Sequence, residues 1–596
     1  MNFGPRLDEY LILRRKRASW GRTPSKDEIR QAIASLAEPQ SVSYTTFEII
    51  LALERTPLYT HLSLLLTGAH VLPSCIWLLK QHCNDQIRLF DYAYGYLCFQ
   101  VMNLSIEVAK LAQVNSLPKF VQSVDRSSRG TRDKIIAEDL AVYVRKWESR
   151  EFVPHGELLL PATKLLGWHI NSSTGLATAL SRIGGFTILD AVFLMVEIWK
   201  DRGKFLKCLR SAVQLQDYAG WCGILHLMHN TLVRMHGILQ IHGQEFDETQ
   251  HWETLLDLIQ RYALCANEYE ESTISYLLKN RPNTSRERHL LHAVDSADVD
   301  QIVDAYVAKA HQQPSIIYAH STRLFAFTMT NCYLDESKFV DNITRIVEAA
   351  LAASWTRFKM IDGTGLSMWT YFTDSVMNTH ILVPVFSKYI EMRSTVLDIV
   401  VNENLLDLLG YFVLYPLTTH DKTFIENRWS WQSSHLRLLG QFIPIIGEHM
   451  ETAPIEQSIA LYCTWNKTAQ SIQYHKAMKK NNSVHAKDYI ATWEEAWYHI
   501  GEAIGRFPLL RCGYPRCSAP EGTGQLKCAG RLDEWYCSLR CQQAHWNHSA
   551  SPHQQACIES MALEVARGLE LPQLPYLYVP EDGEVTVVQN LKHGSS

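Results

Sequence analysis

Asp298-Val299-Asp300-Gln301-Ile302-Val303-Asp304-Ala305-Tyr306-Val307-Ala308-Lys309-Ala310 puts apolar side chains at Val299, Ile302, Val303, Tyr306, Val307 and Ala310. That i, i+3, i+4, i+7 stripe is the signature of a helix with one face buried. Asp298 ahead of the stripe, with Gln301 three residues on, reads as a capping box that sets the helix start. The stripe recurs at Trp252, Leu255, Leu256, Ile259, Tyr262 and Ala263, and again at Trp493, Trp497, Ile500 and Ile504. Between such runs stand turn-formers: Arg281-Pro282-Asn283-Thr284-Ser285, Ile361-Asp362-Gly363-Thr364-Gly365 and Leu417-Thr418-Thr419-His420. Few stretches alternate with period two, so no sizeable sheet is expected before residue 510.

Residues 1–506 are therefore expected to form a mainly α scaffold. About 500 helical residues exceed one bundle core, which favours an irregular α-solenoid or helical array of the armadillo or HEAT kind. Asn115 to Lys134 mixes Pro, Ser, Gly and charge, reads as a surface loop or linker, and offers a division of the scaffold near 115–134. Lys476 to Lys487 reads as a polar turn before a last long helix that leads into the C-terminal segment.

With 596 residues, 46% of them hydrophobic and 20% charged, the chain can bury a large core and is long enough for more than one domain. A net charge of -5 gives no electrostatic footprint for nucleic acid. No run reaches the roughly 18 apolar residues of a membrane span, and His61 to Leu79 and Leu405 to Leu417 read as buried helices. The first twenty residues show no secretory signal, so an intracellular protein, in cytoplasm or nucleus, is expected. Arg14-Arg15-Lys16-Arg17 suits either a nuclear import signal or the exposed face of a first helix starting near Asp8.

No catalytic constellation stands out, and the chain is not expected to be an enzyme. His226, His229, His236 and His242 share one predicted helix, but the His-Glu-x-x-His order of a zinc hydrolase is missing and no carboxylate lies between Trp221 and His242. They read as ordinary core or surface histidines. Cys75, Cys83, Cys98, Cys208, Cys222, Cys265, Cys332 and Cys463 are scattered and read as small core residues.

The C-terminal segment is different. Cys512, Cys517, Cys528, Cys537, Cys541 and Cys557 fall close together, with His545, His548 and His553 among them. Clustered thiols and imidazoles at short spacings suit zinc, which takes four such ligands in a tetrahedron. A disulfide framework would suit a small secreted domain instead.

The order of the residues is specific. Cys512-x4-Cys517 is followed by Cys528, by Tyr536-Cys537-Ser538-Leu539-Arg540-Cys541-Gln542, by Trp546, and by His553-x3-Cys557. This resembles the MYND finger, over residues 512–557, and the chain is similar in outline to large helical proteins of fungi that end in such a finger. The resemblance implies a cross-brace in which Cys512, Cys517, Cys537 and Cys541 hold one Zn²⁺, while Cys528, His553 and Cys557 contribute to a second. It also implies a Cys at 531, where this chain has Arg531, a side chain that cannot ligate a cation. Three readings of the second site follow: empty or weak, completed by water or Asp533, or completed by His548 as a possible fourth ligand.

The same resemblance implies a protein-binding module whose groove takes short Pro/Leu-containing peptides beside Gln542 and Trp546. Trp546 equally suits a plug for the segment's small core. The expected function is thus a zinc-binding interaction scaffold or adaptor with protein partners, and the alternative is a regulatory adaptor in transcription or ubiquitin-ligase assembly. A SET-type lysine methyltransferase is disfavoured, since its catalytic fold lies largely beyond the finger and 558–596 is too short for it. That tail carries Leu571-Pro572-Gln573-Leu574-Pro575-Tyr576-Leu577-Tyr578-Val579-Pro580, which either folds back on the groove near Gln542 and Trp546 or packs on the helical body.

Overall fold

A helix that is apolar on every side has to be buried on every side. Ala93–Gln113 (AYGYLCFQVMNLSIEVAKLAQ) is such a helix, with every residue but Gln100 buried, and the N-terminal half of the protein is assembled around it. The computed structural model describes residues 3–359 apart from 17–22, 55–57, 68–69, 85, 125–128, 150–158, 167, 171–176, 180–185, 215–219, 243–248, 280–293, 313–320 and 333–337. Beyond 359 it describes 405–418, 455–478, 491, 494–495, 497–501, 512–514, 517, 526–528, 534–536, 538–546, 553, 576–578 and 586–588.

The chain divides into two compact units, Met1–Ala350 and Leu351–Ser596. In the first come α1 (Leu7–Lys16), α2 (Lys26–Ser35), α3 (Tyr44–Leu51), α4 (Leu64–Thr67), α5 (Val71–His82), α6 (Ala93–Gln113), α7 (Leu117–Val124), α8 (Arg129–Ser149) and α9 (Leu159–Leu166). A short antiparallel ribbon of β1 (Trp168–Ile170) and β2 (Ala177–Ala179) follows. Then come α10 (Ile188–Lys200), α11 (Arg202–Gln214), α12 (Cys222–His242), α13 (Thr249–Cys265), α14 (Glu271–Lys279), α15 (Ser296–Gln312) and α16 (Ser321–Cys332), with α17 (Phe339–Lys359) running across the unit boundary. The protein is thus mainly α. Helices α3, α5, α8, α9 and α12 surround α6, whereas α11, α13, α15 and α16 pack in succession. No single described helix is long and apolar enough to cross a membrane.

Two local expectations are corrected. Residues 117–124 are helical rather than a loop, because Leu117, Phe120, Val121 and Val124 repeat at helical spacing and bury Leu117 and Phe120. Asn115 supplies the turn before it, at φ 57°. The cap of α15 is Asp295, not Asp298: Asp295 Oδ1 accepts from the Asp298 amide at 2.9 Å, and the helix begins at Ser296. Asp298 is instead drawn inward to Arg261, while Gln301 bonds the Ala297 carbonyl. The expected stripe itself is buried at Val299, Ile302, Val303, Tyr306 and Ala310.

Arg261 is the charged centre of this packing. It is fully buried on α13, donates Nε to Asp257 Oδ2 at 3.0 Å, and clamps Asp298 through Nη1 and Nη2 at 2.8 and 3.0 Å. Burial alone would lower its pKa, but Asp257 and Asp298 more than offset this and keep the guanidinium charged.

A second buried polar seam joins α6 to α12. Lys110 is inaccessible to solvent, donates Nζ to the Gly223 carbonyl at 2.5 Å, and lies 3.0 Å from His226 Nδ1. One turn earlier, Glu107 has no hydrogen-bond partner for Oε1 among the described residues. Gly223 permits the close approach, since a Cβ there would lie 3.0 Å from Glu107 Cγ. Sequence inspection along α12 alone could not have found this, because the lysine beside His226 comes from another helix.

Burial holds Lys110 down at about 7, against an ordinary 10.5, and pushes the Glu107 carboxyl well up and the His226 imidazole well down. Between about 7 and 10.5 the unfolded chain binds a proton at Lys110 that the folded chain does not. Its contribution therefore makes stability rise with pH across that window, and disfavours folding in full below it. Glu107 works in the opposite sense above its ordinary range. Comparing Lys110→Met with the parent protein isolates the lysine. The variant is expected to show a smaller gain in unfolding free energy between two pH values inside the window, read by urea titration; equal gains would refute the assignment.

In the second unit, the helix Leu405–Thr418 packs on the helix Ile455–Met478. Trp465 on the latter interlocks with Trp497: each indole donates to the other's carbonyl, at 2.6 and 2.9 Å. Trp497 and Ile500 are buried as their stripe requires, while Trp493 and Ile504 lie outside the described residues. The turns proposed at 281–285 and 361–365 also lie outside them.

Candidate metal centre

Short elements with little apolar surface need something besides a core to hold them. After residue 511 the described elements are β3 (Leu526–Cys528), β4 (Trp535–Tyr536), the helix Leu539–Trp546, β5 (Tyr576–Tyr578) and β6 (Thr586–Val588). Cys512 bridges to Trp535 in parallel, and the Gly513 amide donates to the Trp535 carbonyl at 2.7 Å. A tight turn, closed by Cys517 N to the Tyr514 carbonyl at 3.0 Å, brings Cys517 back beside Cys512.

Ser538 starts the helix. Its Oγ accepts from the Cys541 amide and its carbonyl from the Gln542 amide, both at 3.2 Å. This cap puts Cys541 in the first turn of the helix. The result is a cluster: the ligand atoms of Cys512, Cys517 and Cys541 all lie within 4.8 Å of one another.

The spacing is informative. Two thiolates about 2.3 Å from one tetrahedral ion stand about 3.8 Å apart, and Cys517 and Cys541 Sγ are 3.8 Å apart. A disulfide would require about 2.05 Å, and all three cysteines are free. The three thiols could hold a metal ion. Cys537, expected as the fourth ligand, lies outside the described residues, as do Arg531, Asp533, His548 and Cys557.

Of the second set, Cys528 ends β3, and only its backbone is described. His553 is buried, 2% exposed, and stacks on His545 with ring centroids 4.8 Å apart. His545 in turn lies with Nδ1 3.0 Å from the hydroxyl of Tyr536, itself fully buried. Tyr536 and His545 therefore orient His553, a role the sequence reading had not assigned. The i, i+3, i+4 spacing of Gln542, His545 and Trp546 on one helix face was the signal for it.

That face turns inward. Trp546, half-buried, packs against Cys512 and Tyr536. Gln542 has no exposed surface, and neither polar atom of its amide has a hydrogen-bond partner among the described residues. A buried amide left so costs about 1–3 kcal/mol. Gln542→Leu is accordingly expected to stabilise the segment by about 1–3 kcal/mol, read as slower amide exchange across 539–546. Faster exchange would show that the amide has a partner that holds the segment together.

Fold and site together define a mainly helical protein with a C-terminal thiol cluster fit for a metal ion. Comparisons with protein-family models, with curated proteins and with solved structures each found no match to the chain.

Proposed function

We propose that residues 512–557 form a structural zinc module of the MYND type, carried on a helical scaffold, that docks short Pro/Leu-containing segments of partner proteins. The observation that carries this reading is the Cys512, Cys517 and Cys541 cluster, whose 3.8 Å Sγ separation suits one tetrahedral ion. Cys537, four residues before Cys541, is the fourth thiolate, and an all-thiolate tetrahedral set favours zinc. The second set lacks a Cys at Arg531, so its ion is weaker or absent. The successive packing of α11, α13, α15 and α16 supports an irregular array of the armadillo or HEAT kind as the scaffold. The chain acts by binding rather than by catalysis.

Native mass spectrometry of the intact protein and of Cys541→Ser, followed by capture of partners with each, tests this. One tightly held zinc is expected, lost in the variant together with a defined set of captured proteins. An unchanged set after loss of zinc would sink the docking role.

A further inference from the structure

The small sheet has an order that no hairpin succession explains: β4-β3-β5-β6. Strand β3 pairs with β4 antiparallel, but its other edge is filled by β5 in parallel, with Lys527 opposite Tyr576 and Cys528 opposite Leu577. A strand edge carries open N–H and C=O groups that accept a further strand. Here a segment from near the end of the chain supplies it.

We propose that this edge of β3 is an exchangeable strand-binding site, filled in cis by the hairpin β5–β6, whose outside ligand is an extended peptide of aromatic and aliphatic residues bounded by prolines. The proposal rests on reading the segment as a docking module. Three observations carry it. The hairpin is better paired with itself than with its host: β5 and β6 share three antiparallel residue pairs, β5 and β3 only two parallel ones. Parallel pairing is also slightly weaker per residue. The β3–β5 joint is therefore the one to open, releasing an intact hairpin.

The second observation is chemical. Pro575 and Pro580 flank Tyr576-Leu577-Tyr578-Val579. Neither proline can donate to a ladder, so the added strand stays short and leaves the site as a unit. The third is the tether. Tyr576 follows the buried His553 by 23 residues, a connection that holds β5 at an effective concentration of roughly millimolar. A two-pair joint stays closed at that concentration, and a free peptide must outcompete it. Main-chain pairing with β3 gives such a ligand its affinity, and alternate side chains give it specificity.

The probe is a fluorescent peptide of sequence LPQLPYLYVP, titrated against the full chain, the chain ending at Gly568, and full-length Leu577→Pro, which loses the amide donor of β5. Metal content is measured in each. The shortened chain and Leu577→Pro are expected to bind the probe at least about tenfold more tightly than the parent. Equal affinity for the parent and the shortened chain overturns the proposal, as does no binding by a shortened chain that keeps its metal. A parent that dimerises, and stops doing so when shortened, overturns cis occupancy in favour of strand exchange between copies. If metal-free Cys541→Ser ending at Gly568 binds the probe as tightly as the metal-loaded shortened chain, the zinc-module reading fails while strand exchange stands.

Discussion

Cys541→Ser is expected to release the metal ion and unfold the segment around it. Among the described residues, Cys512 and Tyr536 are its buried apolar residues, with Tyr514, Cys517, Cys541 and Trp546 packed against them. A core that size supplies little of the needed free energy, whereas structural zinc in finger peptides contributes on the order of 10–16 kcal/mol at neutral pH. Serine keeps the shape and removes the thiolate, which is the ligand. The loss should appear as one fewer metal ion per chain, zinc on the proposed reading, and as proteolytic nicking near 514–541. Because Met1–Ala350 is a separate compact unit, its own unfolding transition is expected to stay where it was. Retention of a full zinc complement by the variant would overturn the assignment of Cys541 as a ligand.

Arg261→Ala is expected to destabilise the first unit by roughly 3–5 kcal/mol, the cost of stranding buried charge. The guanidinium is the partner of two carboxylates at once, and Asp257 and Asp298 are themselves buried. Without it, Asp298 on α15 would lose its cation and Asp257 on α13 would keep only Arg202, 4.0 Å away. Asp298 also accepts from the Val294 amide at 2.9 Å, so the start of α15 would loosen with it. A triple variant, Arg261→Met with Asp257→Leu and Asp298→Asn, is expected to recover much of the loss, since apolar replacement of a whole buried ionic set is often neutral. Urea unfolding decides: a loss below about 1 kcal/mol would mean that water reaches the carboxylates and screens them.

Gln542 and Trp546 show how tertiary structure sets the surroundings of residues that sequence spacing only groups. Both fall on the inward face of one helix, where the half-buried Trp546 packs against Cys512 and Tyr536 and Gln542 is fully buried. Burial is not a property of the motif. It follows from the capped helix lying against Tyr536, and only the assembled sheet and helix set that. The tail is similar: its proline- and leucine-rich composition suggested a segment that folds back, and the place of Tyr576–Tyr578 beside β3 follows from strand pairing.

Periodicity and ligand spacing are local, so the sequence by itself determined the helices with clear stripes, among them Val299 to Ala310, and the grouping of Cys512, Cys517 and Cys541. The contacts that depend on which helices meet were decided only by the tertiary structure. Lys110 and His226 are 116 residues apart, Arg261 and Asp298 are 37 apart, and their polar atoms come within 3.0 Å. Nothing in the pattern of either helix marks its partner, because a stripe shows that a face is buried and not what it is buried against. The same holds for Asp298, which a local rule assigns to a helix cap and the packing of α13 against α15 assigns to Arg261.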